Sequence, residues 1–261
     1  VANALDGDTA AVFIMAVNNE TGAIQPIADI ARALRDPAHG ARHIWLHTDC
    51  VQAAGKIPVL LNEWGADSAA FSAHKLGGPR GAGLLYAARR FEPFLKGGGQ
   101  ENGMRSGTEN LFGAWALSCC LQKRLLRKEA PQTLERCRTQ KQQCADFICA
   151  LRNIPGCSII PAVRDGNMQN EENYSPWIVQ ASFKGVPGEV MVRALSEQGI
   201  YISTGSACSS KKKQRSVLQA MGVAPDLAQN AVRFSFGPET TREDMHTLAA
   251  AVQAAAAMFC R

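Results

Sequence analysis

The first half of the chain contains a continuous apolar run at residues 11–17, and the mixed stretches 43–49, 66–75 and 81–88 are predicted as further short strands. Runs of this kind are typical of strands buried in a parallel sheet. Behind Pro26, a helix is predicted from one apolar face formed by Ile27, Ile30, Ala31 and Leu34. Strands that alternate with helices predict an α/β fold with a mostly parallel sheet, in which ligands collect at the carboxyl ends of the strands.

The second half of the chain has a different order of elements. A long helix that could link two domains is predicted at 108–128, and a polar helix follows at 131–152. Further predictions are strands at 177–183, 200–204 and 232–236, a helix between Pro187 and Gly199, and a last helix opened by the capping-box residues Thr241 and Asp244. These patterns predict a larger domain at 1–128 and a smaller α+β domain at 129–261.

Composition narrows the class of protein. Of the 261 residues, 46% are hydrophobic and 20% are charged, as in ordinary soluble globular proteins. The formal charge of +5 is mild, and no Lys/Arg run with interleaved aromatics indicates nucleic-acid binding. The longest uncharged apolar stretch, at 247–260, is short and alanine-rich, which favours a packed helix over a membrane span.

The chain contains nine cysteines, an odd number, and no Cys-x-x-Cys pair. This pattern argues against a disulfide framework and a metal site, so we expect reduced thiols, a cytoplasmic protein and no bound metal. The sequence begins at Val1 in a stretch that resembles the last turn of a helix. We therefore expect that an N-terminal portion of the natural protein precedes it.

The segment 66–86 carries the first candidate chemistry. Lys75 follows a strand end made of small residues, and Ser72, His74 and two glycines surround it. Lysine forms Schiff bases with carbonyl cofactors, of which pyridoxal phosphate (PLP) is the usual one, and Ser72 and His74 could hydrogen-bond its phosphate. An exposed lysine in a turn is the alternative that this segment leaves open.

A second candidate group lies at the end of the predicted strand 43–49. Asp49 could pair with the pyridinium nitrogen of PLP, and Gln52 could donate a hydrogen bond to the phenolic oxygen of the ring. For Asp49, an N-cap on the following helix is the alternative interpretation.

Cys208 lies among small, flexible residues, and three lysines follow it at 211–213. Thiolates are favoured beside cationic side chains in partly exposed surroundings, so Cys208 is a candidate nucleophile. The alternative is a thiol that occupies a polar loop without any chemical role. The three lysines could equally form a solvated surface.

Six motifs together resemble the NifS/IscS-type cysteine desulfurases, which are fold-type I PLP enzymes of the class V aminotransferase superfamily. The motifs are VNNETGAIQPI, HTDCVQAAGKIPV, SAHKLGGPRGAGLLY, GGGQENGMRSGTEN, STGSACSS and VRFSFG, in the family's order over essentially the whole chain. The large domain of that family begins well before the position of Val1. The resemblance therefore implies a partial large PLP-binding domain, truncated at its N-terminus, and a smaller C-terminal domain.

The resemblance also implies a role for each residue at a motif position. Lys75 would bind the cofactor covalently and later move protons between substrate and cofactor. The other cofactor contacts would come from Asp49 at the pyridinium nitrogen, Gln52 and Asn19 near the phenolate oxygen, Ser72 and His74 at the phosphate, and Thr108 at the phosphate bound by the partner subunit of a homodimer.

Substrate binding and sulfur transfer are the remaining implied roles. Arg233 would clamp the α-carboxylate of L-cysteine in a bidentate manner. Cys208 would attack the substrate sulfur, leaving L-alanine and an enzyme persulfide. The length of the loop around Cys208 resembles that of the group that delivers sulfur to a scaffold protein for iron–sulfur cluster assembly. The sulfur could also be used to synthesise other sulfur-containing cofactors.

Two alternatives of different kinds remain open. Aminotransferases, selenocysteine lyases and kynureninase-like hydrolases share the class V fold and cofactor, so the reaction could differ while the PLP site is the same. The chain could instead be an inactive, truncated remnant that acts only as a dimerising or binding module.

Overall fold

The computed structural model describes residues 1–39, 42–124, 131–164, 172–205 and 215–259. Its contacts divide the chain into two compact units. The first unit comprises Val1–Val17 and Gln25–Ala130, and the second comprises Asn18–Ile24 and Pro131–Arg261. The domain boundary expected between residues 128 and 129 stays a prediction.

The first unit is built on a four-stranded sheet. Its strands are β1 (Ala11–Met15), β2 (Trp45–Asp49), β3 (Ser68–Ser72) and β4 (Gly83–Ala87), and they are adjacent in that order. The first three run parallel, and β4 pairs with β3 in the antiparallel direction. The carboxyl ends of β1, β2 and β3 therefore meet at one edge of a mostly parallel sheet.

Three helices accompany this sheet, and one of them packs on it. They are α1 (Ile27–Leu34), α2 (Leu61–Trp64) and α3 (Leu111–Arg124), with short 3-10 turns at Ala2–Ala4, Pro37–His39, Ala73–Leu76 and Glu101–Gly103. The apolar face predicted for α1 is buried at all four positions, and α1 packs against β2 and α2. The sequence prediction for this helix is confirmed.

The opposite face of the sheet carries exposed apolar side chains. The strand register aligns Met15, Asp49, Ala70 and Leu85 in one row across the four strands, so their side chains share a face. On this face Phe13 is 74% exposed and Leu85 is 53% exposed. Parallel sheets are ordinarily covered on both faces, whereas the described part of the chain leaves these side chains exposed.

The second unit contains a three-stranded antiparallel sheet in the order β5-β6-β7. The strands are β5 (Cys157–Ile160), β6 (Ile178–Phe183) and β7 (Ala231–Ser235), and the helices are α4 (Pro131–Arg152), α5 (Gly188–Ser196), α6 (Ser216–Ala220), α7 (Pro225–Asn230) and α8 (Arg242–Phe259). The core forms where α4, α5 and α8 pack together with the sheet. There Phe147 makes edge-on contacts with Phe234 and Phe236, at ring-centre distances of 5.2 and 5.3 Å. The predicted α/β class, with a smaller α+β arrangement, is confirmed.

The last helix begins as the sequence predicts. Thr241 N donates to Asp244 Oδ2 at 2.8 Å, and Asp244 N donates to Thr241 Oγ1 at 3.1 Å, which is the reciprocal pattern of a capping box. These bonds lower the pKa of Asp244 below its ordinary value. Within the described ranges, no helix combines the length and the apolar character that crossing a membrane requires.

The strand predicted at 200–204 is wrong. Only Ser203 pairs there, as an isolated bridge to Arg233. The peptide N–H of Ile200 instead donates to Leu195 O at 3.0 Å and closes the end of α5. The apolar alternation of this stretch reflects packing against the core of the second unit rather than membership of its sheet.

Candidate functional site

The carboxyl ends of β2 and β3 hold the cofactor residues predicted in the first unit. Asp49 is the last residue of β2, and its Cα is paired with Ala70 of β3. β3 ends at Ser72, and Lys75 follows in the 3-10 turn Ala73–Leu76. The parallel register thus brings both predicted groups to the edge of the sheet at which α/β proteins bind ligands.

The side chain of Asp49 is exposed, while its backbone is fixed from two sides. Ala16 N donates to Asp49 O at 2.9 Å, and Cys50 N donates to Ala70 O at 2.9 Å. Asp49 Oδ1 accepts a hydrogen bond from Val51 N at 2.8 Å, which caps the turn that follows β2. None of the described residues donates to Oδ2, so one carboxylate oxygen caps the turn and the other is available to a cationic ring nitrogen.

Gln52 lies in the hydrogen-bonded turn after β2, three residues beyond Asp49. Its Oε1 accepts a hydrogen bond from Lys56 Nζ. Because the oxygen is occupied, the amide NH₂ is the part of this side chain that can serve a ligand, and an NH₂ group is a donor. This suits a phenolate oxygen, the acceptor that the sequence assigns to Gln52.

Lys75 is exposed beside a bonded pair of polar side chains. Ser72 Oγ and His74 Nδ1 lie 2.8 Å apart on the two residues that flank Ala73. A hydroxyl and an imidazole at this position can both donate to phosphate oxygens. The three side chains Ser72, His74 and Lys75 therefore form one polar cluster directly after β3.

The turn that carries Lys75 is held by packing on α3. Ala73 and Leu76 are 0% and 1% exposed. A Cβ atom at Gly78 would lie 3.1 Å from Ala73 Cβ and 3.2 Å from Cys120 Sγ. A side chain at Gly78 would push the turn away from α3, so the glycine is needed to keep Lys75 where it is.

Thr108 is exposed in the loop before α3, next to an apolar surface. Asn110 Oδ1 caps α3 by accepting a backbone N–H of its first turn at 2.9 Å. In that turn Leu111, Phe112 and Trp115 are 73%, 90% and 73% exposed. Large clusters of exposed apolar side chains are rare on monomeric proteins and usually mark an interaction surface.

Two other predicted residues, Arg233 and Asn19, contact each other in the second unit. Arg233 Nη1 donates to Asn19 O at 3.0 Å. Asn19 lies in a tight turn, in which Asn18 Oδ1 accepts the N–H groups of Glu20 and Thr21, each at 2.9 Å. The structure therefore places the predicted carboxylate-binding arginine on β7, in contact with the NNETG motif.

The guanidinium of Arg233 is incompletely satisfied. Its Nε is buried and finds no acceptor among the residues that the structure describes. Burial lowers the pKa of Arg233, and the charge of Glu20, which is only 5% exposed, acts in the opposite direction. A buried donor without an acceptor is costly, so this edge of the guanidinium fits an anionic ligand such as a carboxylate.

The cysteine next to Asp49 is sealed in the core. Cys50 is 0% exposed, and burial raises the pKa of its thiol to about 12. Such a thiol stays protonated at physiological pH and is a poor nucleophile. Cys208 and Lys211–Lys213, by contrast, lie outside the described residues.

Comparison with known proteins assigns the family. Residues 1–248 match the family described as Aminotransferase class-V. The chain belongs to the class V aminotransferases. It is 39% identical over 252 residues to the "NifS/IcsS protein homolog" of Lactobacillus delbrueckii subsp. bulgaricus, covering 95% of this chain and 61% of that protein.

Two further class V relatives support the assignment. The protein named "Cysteine desulfurase IscS" from Dictyoglomus turgidum is 35% identical over 246 residues, with 93% of this chain and 58% of that protein covered. A solved structure titled "NIFS-LIKE PROTEIN" has a TM-score of 0.82 and 32% identity, and the match covers 98% of this chain and 64% of that one. The chain thus spans 58% to 64% of the length of these three relatives.

Class V aminotransferases are PLP-dependent enzymes of fold type I, and the residues at the edge of the first sheet fit this cofactor. PLP presents an aldehyde, a pyridinium nitrogen, a phenolate and a phosphate. Lys75, the free oxygen of Asp49, the amide NH₂ of Gln52 and the pair Ser72–His74 supply one matching group for each. In the described part of the chain, no group of three or more His, Cys, Asp or Glu side chains could hold a metal ion.

Two polar residues near these sites were missed by the sequence reasoning. His47 lies on the same sheet face as Asp49, and its Nδ1 is 2.8 Å from Ser68 Oγ. Burial lowers the pKa of His47, and the charge of Asp49 acts in the opposite direction. Glu20 follows Asn19 within the NNETG motif, and its charge raises the pKa of Arg233 against the effect of burial. Alternation along β2 could have placed His47 on the ligand face, but the burial of Glu20 has no local signal.

Proposed function

We propose that the protein is a PLP-dependent cysteine desulfurase. It converts L-cysteine to L-alanine and transfers the sulfur to Cys208 as a persulfide. The placement of Asp49 and Lys75 at the carboxyl ends of two adjacent parallel strands is the observation that carries this proposal. The similarity to proteins named NifS and IscS supports it over the aminotransferase and selenocysteine lyase alternatives.

The residues at the sheet edge hold the cofactor and manage one proton. When bound, PLP would supply an electron sink at the substrate Cα. Lys75 would hold the cofactor through its amine and would carry the proton from and to Cα. Asp49 would keep the ring nitrogen protonated, and Gln52 would donate to the phenolate oxygen. Asn19 would contact the cofactor near the same oxygen. Ser72 and His74 bind the phosphate.

Sulfur transfer requires one clamp and one nucleophile. Arg233 binds the α-carboxylate of L-cysteine and thereby satisfies its buried Nε. The Cys208 thiolate attacks the substrate sulfur, so the Cβ–S bond breaks, an S–S bond forms, and a proton takes the place of sulfur on Cβ. The products are L-alanine and the Cys208 persulfide, whose sulfur passes to an acceptor or scaffold protein for iron–sulfur cluster assembly or synthesis of another sulfur-containing cofactor.

A homodimer and a cytoplasmic location belong to the same proposal. The apolar side chains exposed on the first turn of α3 lie next to Thr108, which supports a subunit interface at which Thr108 contacts the partner's cofactor phosphate. The seven cysteines in the described part of the chain are free, which suits a reducing compartment.

Absorbance spectroscopy tests the cofactor site. PLP added to the purified chain should give a protein-bound visible band that Lys75→Ala removes and the control Lys123→Ala, on the exposed side of α3, retains. A band that survives in Lys75→Ala would contradict the assignment of Lys75. No band in any of these proteins would instead favour the alternative of a binding module without activity.

A second measurement tests the sulfur chemistry. With PLP and L-cysteine, the chain should form alanine in proportion to persulfide sulfur, and Cys208→Ala should form little of either product. Full alanine production by Cys208→Ala would contradict the desulfurase reaction, and a faster reaction with selenocysteine would favour a lyase.

A further inference from the structure

The side chain of Glu20, which is only 5% exposed, lies near the guanidinium of Arg233. Glu20 directly follows Asn19, whose carbonyl oxygen accepts the hydrogen bond from Arg233 Nη1 at 3.0 Å. A Cβ atom at Gly205 would lie 3.7 Å from Glu20 Oε2. Two residues before Gly205, Ser203 exchanges backbone hydrogen bonds with Arg233. The carboxylate and the guanidinium therefore lie in one corner of the second unit.

These two charged groups are close together but do not bind each other. Among the described residues, the buried Nε of Arg233 has no acceptor. None of the same residues donates to the carboxylate of Glu20, whose bond to Asn18 Oδ1 is made by the backbone N–H. A buried donor and a buried acceptor that lack partners are both costly, so a ligand that supplies both partners would be stabilised here.

Such a ligand must carry a negative and a positive group close together. A carboxylate accepts hydrogen bonds from a guanidinium, whereas an ammonium group donates three and accepts none. A free α-amino acid carries both groups on one carbon atom. A carboxylic acid without an amino group, or a peptide whose nitrogen is part of an amide, offers only the carboxylate and leaves the charge of Glu20 without a partner.

We propose that Glu20 is a specificity-determining residue, which binds the α-ammonium group of a free amino acid while Arg233 binds its α-carboxylate. The assignment rests on the proposed function, in which Arg233 clamps the α-carboxylate of L-cysteine, and it narrows the class of substrate. The pair selects free L-cysteine over cysteine residues of peptides and over thiol acids that lack an amino group. The contact belongs to the first complex with the substrate and precedes any reaction at the cofactor.

Two small ligands test this assignment in the chain without PLP. L-Alanine carries both charged groups, whereas propionate has the same number of carbon atoms and lacks the ammonium group. NMR titrations can follow the side-chain Nε–H of Arg233 and the backbone amides of Asn19 and Glu20. The wild-type chain should bind L-alanine at least about tenfold more tightly than propionate, because one charge-assisted hydrogen bond is added. N-Acetyl-L-alanine should bind no more tightly than propionate, since its nitrogen is no longer cationic.

Substitutions identify the residue that is responsible for the preference. Glu20→Gln should bind L-alanine and propionate with affinities within about twofold of each other, because the amide neither attracts the ammonium group nor repels a carboxylate. Arg233→Met should bind neither ligand, as judged from the backbone amides. The matched control Glu189→Gln removes an exposed carboxylate of the same unit, whose charge acts on Arg215 instead, and should keep the wild-type preference.

Three outcomes would overturn the proposal. They are a wild-type chain without preference for L-alanine over propionate, N-acetyl-L-alanine that binds as tightly as L-alanine, and a Glu20→Gln chain that keeps the preference. If Glu20→Gln does not fold, Glu20→Asp withdraws the carboxylate by one methylene group and must still reduce the preference. The titrations require no PLP, so failure of PLP binding would contradict the proposed function while leaving the amino-acid site standing.

Discussion

The Asp67 carboxylate, just before β3, accepts hydrogen bonds from four other residues of the first unit. It accepts hydrogen bonds from Leu46 N at 2.8 Å, His43 Nε2 at 2.9 Å, Arg89 Nη2 at 3.0 Å and Arg35 Nη2 at 3.2 Å. Its side chain is only 7% exposed. Asp67→Asn keeps the volume of the side chain and removes its charge, so this change isolates the electrostatic part of the network.

The expected loss follows from the exposure of the partners. Arg35 and Arg89 are 36% and 51% exposed, and water screens their attraction to Asp67, so each contributes roughly 0.5 kcal/mol. The bond from the buried N–H of Leu46 is stronger, because a charged acceptor contributes about 1 kcal/mol more than a neutral amide oxygen. Asp67→Asn should therefore lower the free energy of unfolding of the first unit by about 2 kcal/mol.

Urea unfolding measures this loss. Trp45, Trp64 and Trp115 of the four tryptophans belong to the first unit, so intrinsic fluorescence reports mainly on it. The matched control is Asp29→Asn, which removes an exposed ion pair with Arg32 and should cost less than about 0.5 kcal/mol.

The loss should also depend on pH. Burial raises the pKa of Asp67, but the hydrogen bonds from Leu46 N, Arg89 and His43 outweigh this effect and bring the pKa below its ordinary value. A carboxyl group with a lowered pKa stabilises the fold above its unfolded pKa near 4, and this contribution disappears as the pH falls through the folded value. The difference between wild type and Asp67→Asn should be constant above about pH 5 and shrink below about pH 4. A difference no larger than that of Asp29→Asn, or one that persists unchanged at pH 3, would refute the reasoning.

Two further substitutions and one labelling experiment probe the site and its surroundings. Gly78→Ala places a methyl group against Ala73 and should weaken PLP binding about tenfold in an absorbance titration, because the turn carrying Lys75 must shift. The buried thiol of Cys50 should be alkylated at least about a hundredfold more slowly than that of exposed Cys119 at pH 8, as followed by peptide mass spectrometry. If the chain forms the proposed dimer, Phe112→Asp should convert it to monomers in light scattering, since Phe112 is 90% exposed on the proposed interface.

Each change has a control and an opposing outcome. Gly7→Ala meets no atom within 4 Å and should leave PLP affinity unchanged, so equal weakening by both alanines would contradict the role of Gly78. Met258→Asp replaces a 70% exposed apolar side chain of the second unit and should leave the dimer intact. Rapid alkylation of Cys50 in the folded protein would show that its environment is open to solvent.

Much of the first unit could be predicted because its strongest patterns are local. The apolar positions of α1 recur with a helical period because one face of the helix is buried, and the continuous apolar run of β1 marks a strand. Where the pattern is ambiguous or absent, tertiary contacts decide. The stretch 200–204 alternates like a strand, yet its first peptide group caps a helix, and β5 is too short, at four residues, to show a period of its own.

In the candidate site, too, some residues could be predicted from local sequence and others depend on tertiary contacts. Lys75, Asp49 and Cys208 could be selected because their residue types and small neighbours suit one chemistry. Glu20 could not, because its role depends on a group that is distant in the sequence. The charge of Glu20 acts on Arg233 from more than two hundred residues away, and the bond of Arg233 to the neighbouring Asn19 has a separation of 214 residues.

This dependence explains why a nucleophilic thiol could not be judged from its own loop. The polar residues around Cys208 suit a reactive cysteine and an idle one equally well. The difference lies in β7, a strand of five residues whose members bind Ser203, Arg215 and, in the proposed function, the substrate carboxylate. Because the proposed substrate contact is Arg233 on that strand, Arg233→Met should impair sulfur transfer from L-cysteine while leaving PLP binding at Lys75 intact.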